Sequence, residues 1–256
     1  MSIAKVAIIG AGHIGASITR AAAEKLPGVS VTLYDQSEAV RTRAREIKLG
    51  TIADNPQDAV RDADLVILCV PVGAMGAAYE SVKDALKPGA ILSDVGSVKG
   101  AVIEAIKPRA DIFFVPGHPL AGTEQSGPDA GLAHLFENRW MIVTPLDDPR
   151  TEYQAAVEQL TQFWRALGAR TDTMAPARHD TVLAVVSHLP HLIAYNIVAM
   201  AEDLEAVNEH EVVKYSASGF RDFTRIAASD PIMWRDVFLN NKEAVLEMLG
   251  FFTEGL

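Results

Sequence analysis

The rhythm of apolar and polar positions changes once along the chain. Up to about residue 145, short apolar runs rich in β-branched residues alternate with longer alanine-rich or amphipathic stretches. The short runs at 5–9, 29–34, 65–70, 90–94, 113–115 and 140–143 predict strands. The stretches at 16–26, 37–49, 77–86 and 99–107 predict helices. Pro27-Gly28, Gly50, Pro71 and Lys87-Pro88-Gly89 punctuate them as turns. Strand and helix in regular alternation predict an α/β fold with a parallel, doubly wound sheet.

Beyond a loop holding Pro145 and Pro149 the pattern becomes helical. Val157, Leu160, Phe163, Trp164 and Leu167 recur at helical spacing. A short strand is expected over 170–174, then a long apolar helix over 176–200. Asp230 followed by Pro231 suits a cap and first turn, and this last helix is expected to run to the end. The expected division is therefore 1–149 for the α/β domain and 150–256 for a helical domain.

Composition narrows the function. With 256 residues the chain can hold one large core or two smaller ones. A formal net charge of −10 disfavours nucleic acid as a partner, while a small anionic substrate needs only a local cationic pocket. The single cysteine, Cys69, excludes an intrachain disulfide and is expected as a small core residue of a strand. The opening Met1-Ser2-Ile3-Ala4-Lys5 runs straight into a strand and does not read as a signal peptide. No uninterrupted apolar run is expected to span a membrane. The expected setting is cytoplasmic, with no membrane partner.

Gly10-Ala11-Gly12-His13-Ile14-Gly15 is a G-x-G-x-x-G between a predicted strand and a predicted helix. In that context Gly10 allows the tight turn, Gly12 lets backbone approach a pyrophosphate, and Gly15 lets helix and strand pack closely. His13 and Ile14 read as lining residues. Asp35 ends the second strand about 20 residues later, where a carboxylate accepts from ribose hydroxyls. That carboxylate repels a 2′-phosphate, so NAD is expected over NADP. Val70 and Pro71, closing the 65–70 strand, complete the expected cofactor residues.

Chemistry is expected at the carboxyl ends of the strands. His118, in Gly117-His118-Pro119, follows the 113–115 strand, and histidine is a residue type suited to taking a proton from an alcohol near neutral pH. A turn histidine is the plain alternative. Ser97 follows the 90–94 strand and either positions His118 or the substrate hydroxyl, or caps a helix. Lys99 reads as a first-turn or surface lysine. His188 and His191 share a helix face, as hydrogen-bonded core residues or as substrate contacts; no third ligand suggests a metal. Arg221 and Arg225 either bind carboxylates or pair with local acids.

Assembled, these segments resemble the prephenate/arogenate (cyclohexadienyl) dehydrogenase family. The resemblance rests on 10–15, 94–99 (DVGSVK), 117–127 (GHPLAGTEQSG), 187–191 (SHLPH), 219–227 (GFRDFTRIA) and 230–234 (DPIMW). It implies a Rossmann domain, an all-helical dimerisation domain and a homodimer. It also implies NAD-dependent oxidative decarboxylation of a cyclohexadienol, a step of tyrosine biosynthesis. His118 would then be the proton acceptor and Ser97 its partner. Arg225 would bind a substrate carboxylate, with His191, Glu124, Thr123 and Arg221 as further substrate contacts. Relatives commonly continue past the position of Leu256 with more helix. The competing readings are another NAD(P)-dependent hydroxyacid dehydrogenase or imine reductase of the same two-domain plan, and a silent NAD-binding sensor. Reductases of that plan more often use a lysine in the helical domain, and a sensor has no use for His118, Ser97 and Arg225 together.

Overall fold

β1 (Lys5–Ile9) is buried at four of its five positions and pairs in parallel on both sides, with β2 (Ser30–Tyr34) and β4 (Leu65–Leu68). Strands covered on both faces read as continuous apolar runs, and Leu65, Val66, Ile67 and Leu68 are all buried. The computed structural model describes residues 3–207 and 217–256, so Met1 and Ser2 lie outside the described residues. The chain divides into two compact units, Met1–His179 and Asp180–Leu256.

In the first unit β3 (Thr51–Ile52), β5 (Ile91–Asp94) and β6 (Phe113–Phe114) complete a six-stranded sheet. Its order is β3-β2-β1-β4-β5-β6, with every pairing parallel. The connections include α1 (His13–Lys25), α2 (Glu38–Glu46), α3 (Pro56–Val60), α4 (Met75–Val82) and α5 (Lys99–Ala105). The doubly wound parallel sheet expected from the sequence is present. Its strand order reverses between β1 and β4, so the crevice at their carboxyl ends is where such a sheet takes a ligand. β3 and α3 are too short to show a period. For α3 the local cap signal is nonetheless in the sequence: Asn55 Oδ1 accepts from Asp58 N at 2.9 Å, and Pro56 follows the cap.

A second sheet joins β7 (Gly117–Pro119), β8 (Trp140–Val143) and β9 (Arg170–Thr173). The apolar pattern does not predict β7, which has three residues and a proline. It lies at the edge of its sheet, where a missing N–H is tolerated. β9 pairs with β8 from Trp140↔Arg170 to Val143↔Thr173. α6 (Thr151–Ala166) buries Tyr153, Leu160, Phe163 and Trp164 in the same core as Ile8, Ile18 and Met141. These pairings keep 150–179 with the nucleotide-binding fold, so the division by contacts falls later than the loop at Pro149.

The segment after β7 returns to the first helices and is fastened there. His13 Nδ1 donates to Ala130 O at 2.8 Å, and Leu132 N donates to Ser17 Oγ at 2.9 Å. Arg43 grips Asp129 through Nε and Nη2, the latter at 2.7 Å. Between these fastenings and β7, residues 122–126 are exposed.

The second unit is helical. It begins within α7 (Pro176–Leu183), at Asp180, and continues through a π-helical turn (Ala184–His188) and α8 (Leu189–Val207). Pro190 has no N–H to give to Val186, and the wide turn sits directly before it. The sequence expectation about membranes needs correction here. Pro176–Leu204 is long and apolar enough to cross a membrane by length and composition, with a mean hydropathy of 1.6 and 28% of that window buried. Ser187, His188 and His191 interrupt its apolar pattern, so it does not read as one run.

α9 (Ser218–Ala227), α10 (Pro231–Asn240) and α11 (Lys242–Glu254) complete the described residues. Asp230 caps α10 as expected, accepting from Ile232 N at 2.8 Å. The single terminal helix of the sequence reading is two helices broken at Asn241. The Asn241 side chain is only 6% exposed. Its Nδ2 donates to Asp180 O at 2.9 Å and to His188 Nδ1 at 3.0 Å. A carbonyl can only accept, so the amide has one orientation, and neutral His188 carries its proton on Nε2. Asn241→Ala is expected to lower stability by about 1–3 kcal/mol, since it removes the bonds that a buried amide gives to Asp180 O and His188 Nδ1. A denaturation midpoint unchanged from wild type would show that this amide does not hold the corner.

Candidate active site

Each glycine of the fingerprint meets a different constraint. Gly10 has φ +106°, and a Cβ there would lie 2.3 Å from Cys69 O at the end of β4. A Cβ on Gly15 would lie 2.1 Å from Gly10 O. A Cβ on Gly12 would meet nothing within 4 Å. Gly12 is the N-cap of α1, with no side chain capping the helix and no acidic residue in its first turn. The free N–H groups of α1 therefore open onto unfilled space, which fits a pyrophosphate. His13 is half-buried and spends Nδ1 on Ala130 O; Ile14 packs on the core. Val70 is half-buried and Pro71 exposed at the carboxyl end of β4.

Asp35 is half-buried just beyond β2. Its Oδ2 accepts from Ala11 N and its Oδ1 from Ser37 N, each at 2.9 Å. Both bonds leave lone pairs for ribose hydroxyls and fix the carboxylate against the glycine loop. Cys69 is half-buried, less enclosed than a core position, and desolvation pushes its thiol well up.

His118, on β7, is 9% exposed and opposes Ile142. Its position is set through Gly117. Gly117 N donates to Asp94 Oδ2 at 3.3 Å, and Lys99 Nζ donates to Gly117 O at 2.6 Å. Asp94 Oδ1 takes Gly96 N at 2.7 Å and pairs with Lys99 Nζ. Both partners are 0% exposed. Lys99 is thus in the first turn of α5 but is no surface lysine. Removing one member of a buried pair typically costs about 3–5 kcal/mol.

His118 Nδ1 lies 2.9 Å from His179 Nε2, with the rings edge-on. His179 is 0% exposed, and sequence reasoning misses it. It lies 61 residues from His118, and no motif or spacing links them. Ser97 sits half-buried in the bend before α5. It is not the helix cap, since Val98 occupies that position. Its hydroxyl bonds no described residue, His118 included. Glu124 and Thr123 are exposed, with Thr123 Oγ1 accepting from Gln125 N at 3.3 Å.

In the second unit His191 donates Nδ1–H to Ser187 O at 2.8 Å and stacks on Trp234, centroids 3.6 Å apart. Its Nε2 is left as an acceptor. Burial lowers its pKa, the bond to Ser187 opposes this, and the Arg225 charge adds to the lowering. Arg225 is exposed and meets Asp222 only at 3.8 Å, a distance and exposure worth little in water. Arg221 is exposed as well. Among the described residues no cluster of His, Cys, Asp and Glu could hold a metal ion.

Comparison with known proteins places the chain. The family model described as "Prephenate dehydrogenase, nucleotide-binding domain" matches residues 18–173, and "Prephenate dehydrogenase, dimerization domain" matches 175–256. The chain belongs to the prephenate dehydrogenase family. Within that family it is 47% identical to the cyclohexadienyl dehydrogenase of Zymomonas mobilis, over 98% of this chain and 85% of that protein. It is 37% identical to the prephenate dehydrogenase of Bacillus subtilis, over 94% of this chain and 65% of the relative. The solved prephenate dehydrogenase of Aquifex aeolicus, in complex with hydroxyphenyl propionate and NAD+, superposes with a TM-score of 0.88 at 32% identity. That match covers 100% of this chain and 88% of the other. As a member of the prephenate dehydrogenase family the chain is an NAD-dependent oxidoreductase.

Two outcomes follow from this geometry. Gly12→Ala should cost about 1 kcal/mol of stability or less, the scale of a cap change, while weakening NAD binding in calorimetry. Gly10→Ala, strained by φ and by Cys69, should unfold first. Equal stability losses would show that Gly12 is structural. The lowered pKa of His191 makes its contribution to stability present above the unfolded histidine value, about 6.5, and lost as pH falls. His191→Gln should therefore flatten the melting temperature's dependence on pH below neutrality. An unchanged slope would place the acid sensitivity elsewhere.

Proposed function

We propose that this enzyme oxidatively decarboxylates prephenate, arogenate or both, with NAD, giving 4-hydroxyphenylpyruvate or tyrosine. The observation that carries the proposal is His118, buried at a sheet edge and bonded through Nδ1 to a second buried histidine. With its proton on Nδ1 and donated to His179, neutral His118 presents Nε2 as a base. Nε2 takes the proton of the ring hydroxyl as that carbon becomes a carbonyl. NAD, when bound on the α1 N-terminus, supplies the hydride acceptor. The ring carboxylate leaves as carbon dioxide, its bonding electrons complete the aromatic ring, and the former carbonyl oxygen takes back a proton, the one held by His118, to give the phenol. This last step is strongly downhill and asks the protein only for positioning.

Ser97, whose hydroxyl is uncommitted among the described residues, hydrogen-bonds the substrate hydroxyl or orients His118. Arg225 pairs with a substrate carboxylate, which its weak pairing with Asp222 leaves it able to do. His191, Glu124, Thr123 and Arg221 serve the rest of the substrate. The working form is a homodimer in the cytoplasm, with no nucleic-acid or membrane partner. The homodimer is supported by the apolar side chains the helical unit leaves exposed, among them Val186, Met200, Ile232, Leu239 and Phe251.

The test is initial NADH formation with prephenate and with arogenate, each also tried with NADP. Rapid NADH from either substrate is expected; NAD binding with no turnover on any pair would overturn the substrate assignment. His118→Asn should lower kcat by about 10²–10⁴-fold with NAD binding kept. Arg225→Ala should act mainly on KM, by roughly the 1.5–3 kcal/mol of a charge-assisted bond. Normal turnover in the first, or an unmoved KM in the second, removes that residue from its role.

A further inference from the structure

α1 carries more than the glycine loop. His13 and Ser17 lie four residues apart on one face of its first two turns, and both reach the segment that follows β7. His13 donates from Nδ1 to Ala130 O at 2.8 Å, since a carbonyl can only accept. Its Nε2 is buried and has no hydrogen-bond partner among the described residues, so the ring is tied to that carbonyl alone there. Ser17, 0% exposed, accepts from Leu132 N at 2.9 Å and donates to His13 O at 2.7 Å. Between these bonds, a Cβ on Gly131 would lie 2.7 Å from Ala16 Cβ, so the backbone at 131 rests directly on the helix. The Arg43–Asp129 pair nearby is exposed on both sides and contributes little in water. The bonds from α1 therefore decide where 130–132 sits. Residues 122–126, which include Thr123 and Glu124, are exposed, and burial resumes at Pro128. One end of that stretch is set by α1, the other by β7, the strand of His118.

We propose that His13 and Ser17 are positioning residues for the substrate. They hold the far end of the stretch bearing Thr123 and Glu124 on the helix whose N-terminus receives the cofactor. Ordering a loop on binding costs affinity, and a loop already held at both ends has less to order. The clamp thus acts on substrate binding and leaves the chemical step to His118. The inference rests on the reading of Thr123 and Glu124 as substrate contacts.

The experiment measures kcat and KM on the full chain for whichever of prephenate and arogenate it turns over, and KM for NAD. The variants are S17A, H13L, H13N, G131A and, as a control on the stretch itself, E124Q. S17A should raise the substrate KM about three- to tenfold, the scale of one hydrogen bond, with kcat and the NAD KM within about twofold of wild type. H13L should raise the substrate KM likewise. H13N, whose amide nitrogen can stand where Nδ1 stands, should restore most of it. G131A, which crowds Ala16 but keeps both clamping side chains, should raise it too. Amide exchange over 120–132 should quicken in S17A and G131A while the large sheet stays protected, which separates a loosened stretch from a misfolded protein. A substrate KM raised by E124Q but unmoved by S17A, H13L and G131A overturns the proposal and spares the substrate reading. A KM moved by none of the four overturns that reading together with the proposal. An NAD KM that rises as much as the substrate KM in S17A assigns the clamp to the cofactor and overturns the proposal. H13N no better than H13L removes His13 from the role. Wild type that turns over neither substrate overturns the proposed reaction and this inference with it.

Discussion

The first unit is organised around a carboxylate that has no contact with water. Asp94 ends β5, and its two oxygens take Gly96 N, Gly117 N and the Lys99 ammonium. Lys99 in turn reaches Gly117 O. One ion pair thus joins the end of the large sheet, the start of α5 and the first residue of the small sheet. In a buried environment such a pair is stable only while every donor and acceptor is matched. Its geometry is therefore unforgiving. His118 follows Gly117 directly, so the placement of its ring inherits that rigidity.

The helical unit solves a different problem. A long apolar helix contains a proline, and a π-turn that carries His188 lies just before it. The same turn supplies Ser187 O to His191. Asn241 then ties His188 to the corner between the last two helices. Side chains thus take up Ser187 O and His188 Nδ1 at the irregular turn, which is how polar groups persist in an apolar helix.

Much of this was legible in the sequence, because local rules and the fold agreed. The glycine fingerprint, Asp35, the parallel sheet and the Asp230 cap each depend on residues close in sequence or on a simple period. What was not legible depends on distant partners. Lys99 looks like any first-turn lysine until Asp94 and Gly117 O are seen around it. His179 gains meaning only from His118, and β7 only from β8. The break at Asn241 follows from a side chain whose acceptors lie more than fifty residues away. The placement of 150–179 was hidden for the same reason: strand pairing, not composition, decides it.

The fastenings at Ala130, Leu132 and Asp129 have a mechanical corollary. The exposed stretch carrying Thr123 and Glu124 is pinned at both ends by bonds it does not itself make. Its ends stay put whatever sequence runs between them. Lengthening such a loop adds only about 0.6 kcal/mol of closure entropy for each doubling. A change of length within 122–126 would therefore cost the nucleotide fold little stability. The closure of this stretch is thus a property of its fastenings and not of the side chains between them.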